Sequence, residues 1–96
     1  MNQDYLKSIL TYDPKLGLFH WKVKKRRCKI GQVAGCVTPR GIVMKIDGKI
    51  YMARRLAWLY MTGSFPNHGV TTKDGHSDND AWDNLKLENR RYRYEN

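Results

Sequence analysis

The 96-residue chain is 41% hydrophobic and 11% aromatic, a composition that suits one folded domain and excludes an intrinsically disordered tail. No apolar stretch approaches the roughly 20 residues that cross a bilayer, so we expect no membrane partner. The formal net charge of +9 is extreme for this length and favours a polyanionic partner such as a nucleic acid.

The first third of the chain predicts a short helix and a strand. Apolar side chains recur at helical spacing over residues 3–10, and Asp13 and Pro14 end the pattern. Residues 18–23 combine aromatic and bulky apolar side chains, which is typical of a β-strand. The basic residues that follow, 24–29, are too charged for a core and predict an exposed loop.

A β-hairpin is predicted in the middle of the chain. Two apolar runs, 42–46 and 49–52, flank Asp47 and Gly48. An Asp-Gly pair between such runs is the strongest short-range signal of a hairpin. With the strand at 18–23, these runs predict a small three-stranded antiparallel sheet.

The clearest helix pattern covers residues 53–61. Leu56 and Leu59 lie about one helical turn apart, and Gly63 stands where helix C-termini favour glycine. We expect Trp58 and Leu59 to be largely buried. The chain is then polar and rich in turns until residues 81–87, which complete a compact loop–helix unit in an α+β fold.

Charge is unevenly placed along the chain. Residues 71–84 contain four aspartates and one lysine, a local charge of −3, so the rest must carry +12 to reach the total of +9. A basic body around a small acidic pocket suits a metal-dependent nuclease, because the body binds phosphates while the pocket holds a cation. Aspartates also cap turns in loops rich in Asp, Asn and Gly, and charge alone does not decide between these readings.

The order of several short strings resembles that of the small HNH endonucleases of phages. Arg-Leu-Ala-Trp at residues 55–58 precedes Val-Thr-Thr-Lys-Asp-Gly at 70–75, Ser-Asp-Asn at 77–79 and Asn-Leu at 84–85. That family has Arg-Leu-Ala-Trp, then Val-Asp-His-x-Asn-Gly, Asp-Asn and Asn-Leu. The Gly-Leu-Phe-His-Trp string at 17–21 falls in step with it as well, so the likeness covers nearly the whole chain.

The resemblance implies one HNH-like domain over residues 1–96. Residues 1–52 would form the N-terminal helix and sheet, and 53–96 the main helix, a ββα-metal unit and a basic tail. In this unit two strands and a helix hold one divalent cation, Mg²⁺ or Mn²⁺, beside the scissile phosphate.

The catalytic motif is degenerate in this chain. By the resemblance, Thr71 stands at the Asp ligand and Thr72 at the His general base, while Asp74 and Asn84 match the other motif positions. Threonine is a poor Mg²⁺ ligand and cannot act as a base near neutral pH, so we expect impaired catalysis. Arg54 also replaces a histidine that many of these sequences carry.

The spacing of the motif leaves a displaced site open. Asn79 and Asn84 are five residues apart and would diverge by about 140° on a continuous helix. Either the helix begins later, or Asp80, four residues before Asn84, replaces Asn79 as a ligand. His76 could replace the missing base, with Asp74 or Asp80 on the metal. Alternatively, His76 is an ordinary solvent-facing loop residue.

Basic residues supply the candidate nucleic-acid contacts. Six of the eight residues from 22 to 29 are positively charged, and arginines elsewhere add to them. No base-reading helix is recognisable, so we expect contacts to the DNA backbone with weak sequence preference. The run could also be a solvated loop. The candidates are Lys22, Lys24, Lys25, Arg26, Arg27, Lys29, Arg54, Arg55, Arg90, Arg91 and Arg93.

Three functions therefore follow from the sequence. The first is a DNA-binding protein on an HNH scaffold with impaired catalysis. The second is an inhibitor or accessory protein that binds a host or phage protein, for example a defence nuclease. The third is an active metal-dependent nicking enzyme with a displaced site at His76 and Asp74. We expect a cytoplasmic protein, in the bacterial host cell if phage-encoded, with Cys28 and Cys36 reduced.

Overall fold

The described part of the chain, residues 1–25 and 27–88, forms a small α+β fold of two α-helices and seven strands in the computed structural model. None of the described helices is long and apolar enough to cross a membrane. The elements in order are α1 (Gln3–Ile9), β1 (Leu10–Asp13), β2 (Leu18–Trp21), β3 (Cys36–Thr38), β4 (Gly41–Ile46), β5 (Lys49–Met52), α2 (Ala53–Thr62), β6 (Gly69–Thr72), a 3-10 helix (Trp82–Asn84) and β7 (Leu85–Glu88).

The described strands pair antiparallel in three sheets, β1–β2, β3–β4–β5 and β6–β7. A three-stranded sheet is confirmed, but its members differ from the expected ones. The strand at Leu18–Trp21 pairs with β1 and not with β4 or β5. The first residue of β1, Leu10, was predicted to belong to the helix. Leu10 is already extended, with φ of −137°, because it pairs with Trp21 across the hairpin. The third strand of the sheet is β3, in a segment for which no strand was predicted.

The hairpin at Asp47 and Gly48 is confirmed. Ile46 pairs with Lys49, and the two turn residues have φ of 52° and 82°. Positive φ at both central positions is the geometry of a type I′ turn, whose twist matches that of the flanking strands.

The main helix, α2, is also confirmed and runs one residue beyond its expected end. Gly63 ends it in the left-handed conformation, with φ of 93°, and donates its N–H to the Leu59 carbonyl. Leu56 and Leu59 are buried as expected. Trp58 is only half-buried, and its ring lies 5.0 Å from that of Trp82.

One hydrophobic core joins the three sheets to the helices. Leu6 of α1, Phe19 of β2, Ile46 of β4 and Leu56 of α2 are all fully buried within it. The hairpin of β6 and β7 contributes only Val70 and Leu85 to the buried residues of this core. The core therefore fixes α2 against the sheets, and the site described below lies at the N-terminal end of this helix.

The helix expected at residues 81–87 is not present. Trp82–Asn84 is a single 3-10 turn, and the chain then continues as β7, in which Leu87 pairs with Val70 and Leu85 with Thr72. Pairing with β6 favours the extended conformation here, because it buries Leu85 and satisfies the backbone groups of both strands. The expected ββα-metal unit is therefore not confirmed, because β7 occupies residues that were expected to form its helix.

Candidate functional site

Three side chains of the degenerate motif converge in the loop between β6 and β7. The Asp74 carboxylate accepts hydrogen bonds from Nδ2 of Asn84 at 3.0 Å and from Nδ2 of Asn79 at 2.8 Å. Asn84 also donates to the carbonyl oxygen of Asn79 at 2.8 Å. The expected divergence of Asn79 and Asn84 is therefore wrong, because no continuous helix joins them.

The turn at Asp74 follows from its local sequence. Oδ1 of Asp74 accepts the backbone N–H of His76 at 2.9 Å, which makes an Asx-turn. Gly75 between them has φ of 80°. The β6–β7 pairing then brings Asn84 beside the turn, since Lys73 donates its N–H to the Asn84 carbonyl at 2.7 Å.

Hydrogen bonding holds the Asp74 carboxylate in its charged form. The His76 N–H, followed by the Asn84 and Asn79 amides, lowers the pKa of Asp74 to about 2. Both carboxylate oxygens are occupied by N–H donors that belong to the protein. Asp74 therefore acts as the centre of a structural network, and a metal ion would have to compete with these donors.

Asp80 does not join this network. Its side chain is 1% exposed, and neither carboxylate oxygen has a hydrogen-bond partner within the described residues. Burial raises the pKa of Asp80 to about 6, while the charge of Arg54 lowers it and that of Asp78 raises it. The backbone carbonyl of Asp80 accepts a hydrogen bond from the buried Tyr12 hydroxyl at 2.6 Å, which ties this loop to β1.

The residues present do not fit the expected Mg²⁺ or Mn²⁺ site. Of the three proposed ligands, Asp74 and Asn84 bond to each other and Asp80 is buried apart from them. In the part of the chain that the structure describes, no three His, Cys, Asp or Glu side chains are grouped to hold a metal ion. The donor set is thus short of the carboxylates that such an ion prefers.

The two threonines that the resemblance places at catalytic positions, Thr71 and Thr72, lie on opposite faces of β6. Thr72 is 7% exposed and pairs with Leu85, whereas Thr71 is half-buried and lines a cleft. Successive strand residues point to opposite sides, so the two side chains do not meet at one site. His76, the candidate replacement base, is exposed in the turn after Asp74.

The cleft beside Thr71 is basic. It has a volume of about 340 Å³ and lies where α2 begins, between β6 and the turn before β4. Three arginines line it, and we call it the basic cleft. Its lining residues are Arg40, Met52, Arg54, Arg55, Gly69, Val70 and Thr71.

Neutral groups hold two of these arginines in place. Arg54 donates from Nη2 to the backbone carbonyl of Arg40. Arg55 donates from Nη1 to the His68 carbonyl at 3.2 Å, and its guanidinium lies 5.9 Å from the centre of the Phe65 ring. These contacts order the guanidinium groups. Arg54 also lies close enough to Asp80 for its charge to lower the pKa of that carboxyl.

Gly41 makes room for the Arg54 side chain. Its φ is 132°, and a Cβ atom there would come within 2.7 Å of the Arg54 guanidinium and 3.0 Å of the Ser77 carbonyl. A larger residue would displace Arg54 from the basic cleft. The glycine is therefore required both by its backbone conformation and by this close approach.

The start of α2 adds positive potential. Met52 is the N-cap and makes no side-chain cap, and the first turn contains no acidic residue. The free N–H groups and the helix dipole therefore remain unneutralised by side chains of this turn.

The other basic candidates are spread over the surface. Lys22 donates to the Lys7 carbonyl at 2.8 Å, and Nζ of Lys25 lies 5.1 Å from the centre of the Trp21 ring. Among the rest, Lys24, Arg27 and Lys29 are exposed. Arg26, Arg90, Arg91 and Arg93 lie outside the described residues.

Arg40 is one of the arginines outside the basic run, and its position beside Arg54 was not predicted. It stands alone in a turn of the sequence, and only the close approach of Arg54 over Gly41 brings it to the basic cleft. The adjacent Pro39 and Gly41 marked a turn, but no local signal connected that turn with the start of α2.

Comparison of the chain with protein-family models, with curated proteins and with solved structures finds no match.

Proposed function

We propose that this protein binds the phosphate backbone of DNA through the basic cleft, on an HNH-like scaffold whose nuclease chemistry is impaired. One observation carries the proposal: three arginines line a cleft at a helix N-terminus that has no acidic residue in its first turn. Phosphate groups are the natural ligands of such a place, because N–H donors, dipole and guanidinium charge all favour an anion.

The fixed conformation of the arginine side chains supports this assignment. Arg54 and Arg55 are held by backbone carbonyls, so little conformational entropy remains to be lost when they bind a phosphate. The guanidinium group can also donate two parallel hydrogen bonds to one phosphate. Since the contacts are to the backbone, affinity should depend strongly on salt and weakly on sequence.

The impaired chemistry is supported by the arrangement around Asp74. The candidate base position, Thr72, is buried, and the carboxylate of Asp74 is occupied by N–H donors. An active enzyme with a displaced site would need His76 and a metal-bound carboxylate to face one phosphate. His76 donates its backbone N–H to Asp74, and within the described residues its exposed side chain makes no hydrogen bond to that carboxylate.

A salt titration of DNA binding tests the cleft. Arg54→Gln with Arg55→Gln should weaken binding to a duplex at least about tenfold and flatten the slope of log K against log salt by about 1.8, since each phosphate contact contributes about 0.9. Lys15→Gln, a charge removal in the exposed β1–β2 turn, is the control and should change affinity by less than about twofold. Equal effects per charge removed would show that net charge, and not the cleft, drives binding.

The same DNA tests for remaining nuclease activity. Supercoiled plasmid incubated with the protein and Mg²⁺ or Mn²⁺ should be retarded on a gel without being nicked. Nicks that EDTA abolishes would instead favour the active enzyme with a displaced site, and His76→Ala would then be expected to remove them.

A further inference from the structure

An apolar groove lies on the outer face of the three-stranded sheet. Alternate residues of β4 point inward, and Ile42, Met44 and Ile46 are buried. Val43 and Lys45 point to the opposite face, beside their cross-strand partners in β3 and β5. Val43 and Lys45, with Cys36 of β3, Ile50 of β5, the edge of Met44 and residues of the segment before β3, line a groove of about 400 Å³, which we call the outer groove.

The apolar side chains of the outer groove are open to solvent. Ile50 is 71% exposed and Val33 is 47% exposed, and both line the groove with the half-buried Val43. Ile30, two residues before the lining residue Gln32, is also exposed. Exposed apolar residues scattered singly are ordinary, but a contiguous set in a concave site marks an interaction surface.

The rim of the outer groove is positively charged. Lys45 lines it directly, and Lys25 lies against the ring of Trp21, another lining residue. Lys49 is exposed next to Ile50. Cys28, which lines the groove, stands between Arg27 and Lys29, and both of these are exposed.

We infer that the outer groove binds an acidic amphipathic segment of a protein partner. The apolar floor fits the apolar face of a helix laid into it, and the lysine rim fits acidic residues along the flanks of that helix. A second copy of this chain is disfavoured, because both copies carry a net charge of +9. DNA is disfavoured at this place, because the floor is aliphatic and Trp21 is buried, so no ring is open for stacking on bases.

The test uses a designed helical peptide of about 18 residues, roughly five turns, with leucine on one face and glutamate on the other. Peptides of the same composition in scrambled order, and of leucine with lysine, are the comparisons. The protein carries Cys28→Ser, which leaves Cys36 of the groove as its only thiol. The rate at which a maleimide labels Cys36 reports whether the groove is occupied.

The leucine–glutamate peptide should slow the labelling of Cys36 at least about fivefold at saturation, and the scrambled and lysine peptides should leave it unchanged. Ile50→Asp should weaken the peptide at least about tenfold. The matched control is Val37→Asp, which alters a residue of the same sheet that is 70% exposed and does not line the outer groove. It should change binding by less than about twofold.

Further outcomes decide against the proposal. Labelling unaffected by the peptide, or equal losses from the two aspartate variants, would overturn it. Protection by a DNA duplex without protection by the peptide would make the outer groove a nucleic-acid surface.

If Ile50→Asp does not fold, Lys45→Glu on the exposed face replaces it and should weaken binding of the acidic peptide. Arg54→Gln with Arg55→Gln should leave peptide binding intact, which separates this site from the basic cleft.

Discussion

Asp74 and Asn84 exchange two hydrogen bonds across the base of the loop that joins β6 to β7. Asn84 donates from Nδ2 to Oδ1 of Asp74 at 3.0 Å, and its own Oδ1 accepts the Asp74 backbone N–H at 3.2 Å. By the resemblance, Asn84 stands at the helical metal ligand of HNH enzymes and Asp74 at the Asn that precedes the glycine. In this protein the pair closes a loop, so the same residue types do structural work.

Removing the Asn84 amide should destabilise the fold. Asn84→Ala removes one of the three donors to the Asp74 carboxylate, the donor to the Asn79 carbonyl and the acceptor of the Asp74 N–H. We expect a loss of about 0.5–1.5 kcal/mol in the free energy of unfolding. Urea unfolding followed by tryptophan fluorescence measures it. Lys86→Ala, on the exposed face of β7, is the control and should change stability by less than about 0.5 kcal/mol.

Asp80 should make the protein less stable as the pH rises. Burial raises its pKa to about 6 from 3.8, so the folded state binds a proton that the unfolded state has lost between these values. The contribution of Asp80 to stability is highest below about pH 4, where its carboxyl is protonated in both states, and falls until about pH 6. Each pKa unit corresponds to about 1.4 kcal/mol, so the loss should be about 2–3 kcal/mol.

The matching experiment measures unfolding of the wild type and Asp80→Asn in steps from pH 4 to 7. The variant has no proton to lose at this position, so its stability relative to the wild type should rise across that window. A constant difference between the two proteins would show that Asp80 is solvated and has an ordinary pKa.

Asp74 should act in the opposite direction at lower pH. Its pKa is lowered to about 2 by the His76 N–H and the Asn84 and Asn79 amides. Its contribution is therefore present above about pH 4 and is lost as the pH falls toward 2. Asp74→Asn should flatten the acid limb of the stability curve, as measured by thermal unfolding between pH 2 and 4.

Gly17→Ala should be severely destabilising. Gly17 has φ of 73°, and an added Cβ would overlap the backbone of Asp80 and Ala81, which cannot move aside as a flexible side chain would. We expect a loss of more than about 3 kcal/mol. Gly48→Ala is a matched control, with φ of 82° and open space around it, so only backbone strain of about 1–2 kcal/mol applies. Similar melting temperatures for the two variants would contradict the close packing at Gly17.

Restoring the motif residues should not restore a nuclease. Thr72→His places a larger side chain at a buried position and should cost about 1–3 kcal/mol. Thr71→Asp places a carboxylate in the basic cleft, where it should weaken DNA binding by repelling phosphate. The double variant should therefore bind DNA more weakly and still leave supercoiled plasmid intact with Mg²⁺. Metal-dependent nicking by the double variant would show that the scaffold keeps its catalytic geometry.

Elements with a complete local signal were predictable from the sequence. Asp47 and Gly48 adopt the positive φ angles that their types favour, and Gly63 ends α2 in the left-handed conformation. Each of these depends on residues that are neighbours in the chain. β3 and β7 were missed for the converse reason, because each is short and becomes a strand by pairing with a distant partner.

The sequence by itself determined the α+β class, the hairpin, the main helix and an unusually basic surface. Only the tertiary structure decided what the motif residues do. It brings Asn79 and Asn84 together on Asp74, buries Asp80 against β1 through Tyr12, and places Arg40 beside Arg54. The physical reason is that these contacts join separate turns and strands, whose relative positions depend on how the whole core packs. Residue spacing alone carries no record of that packing.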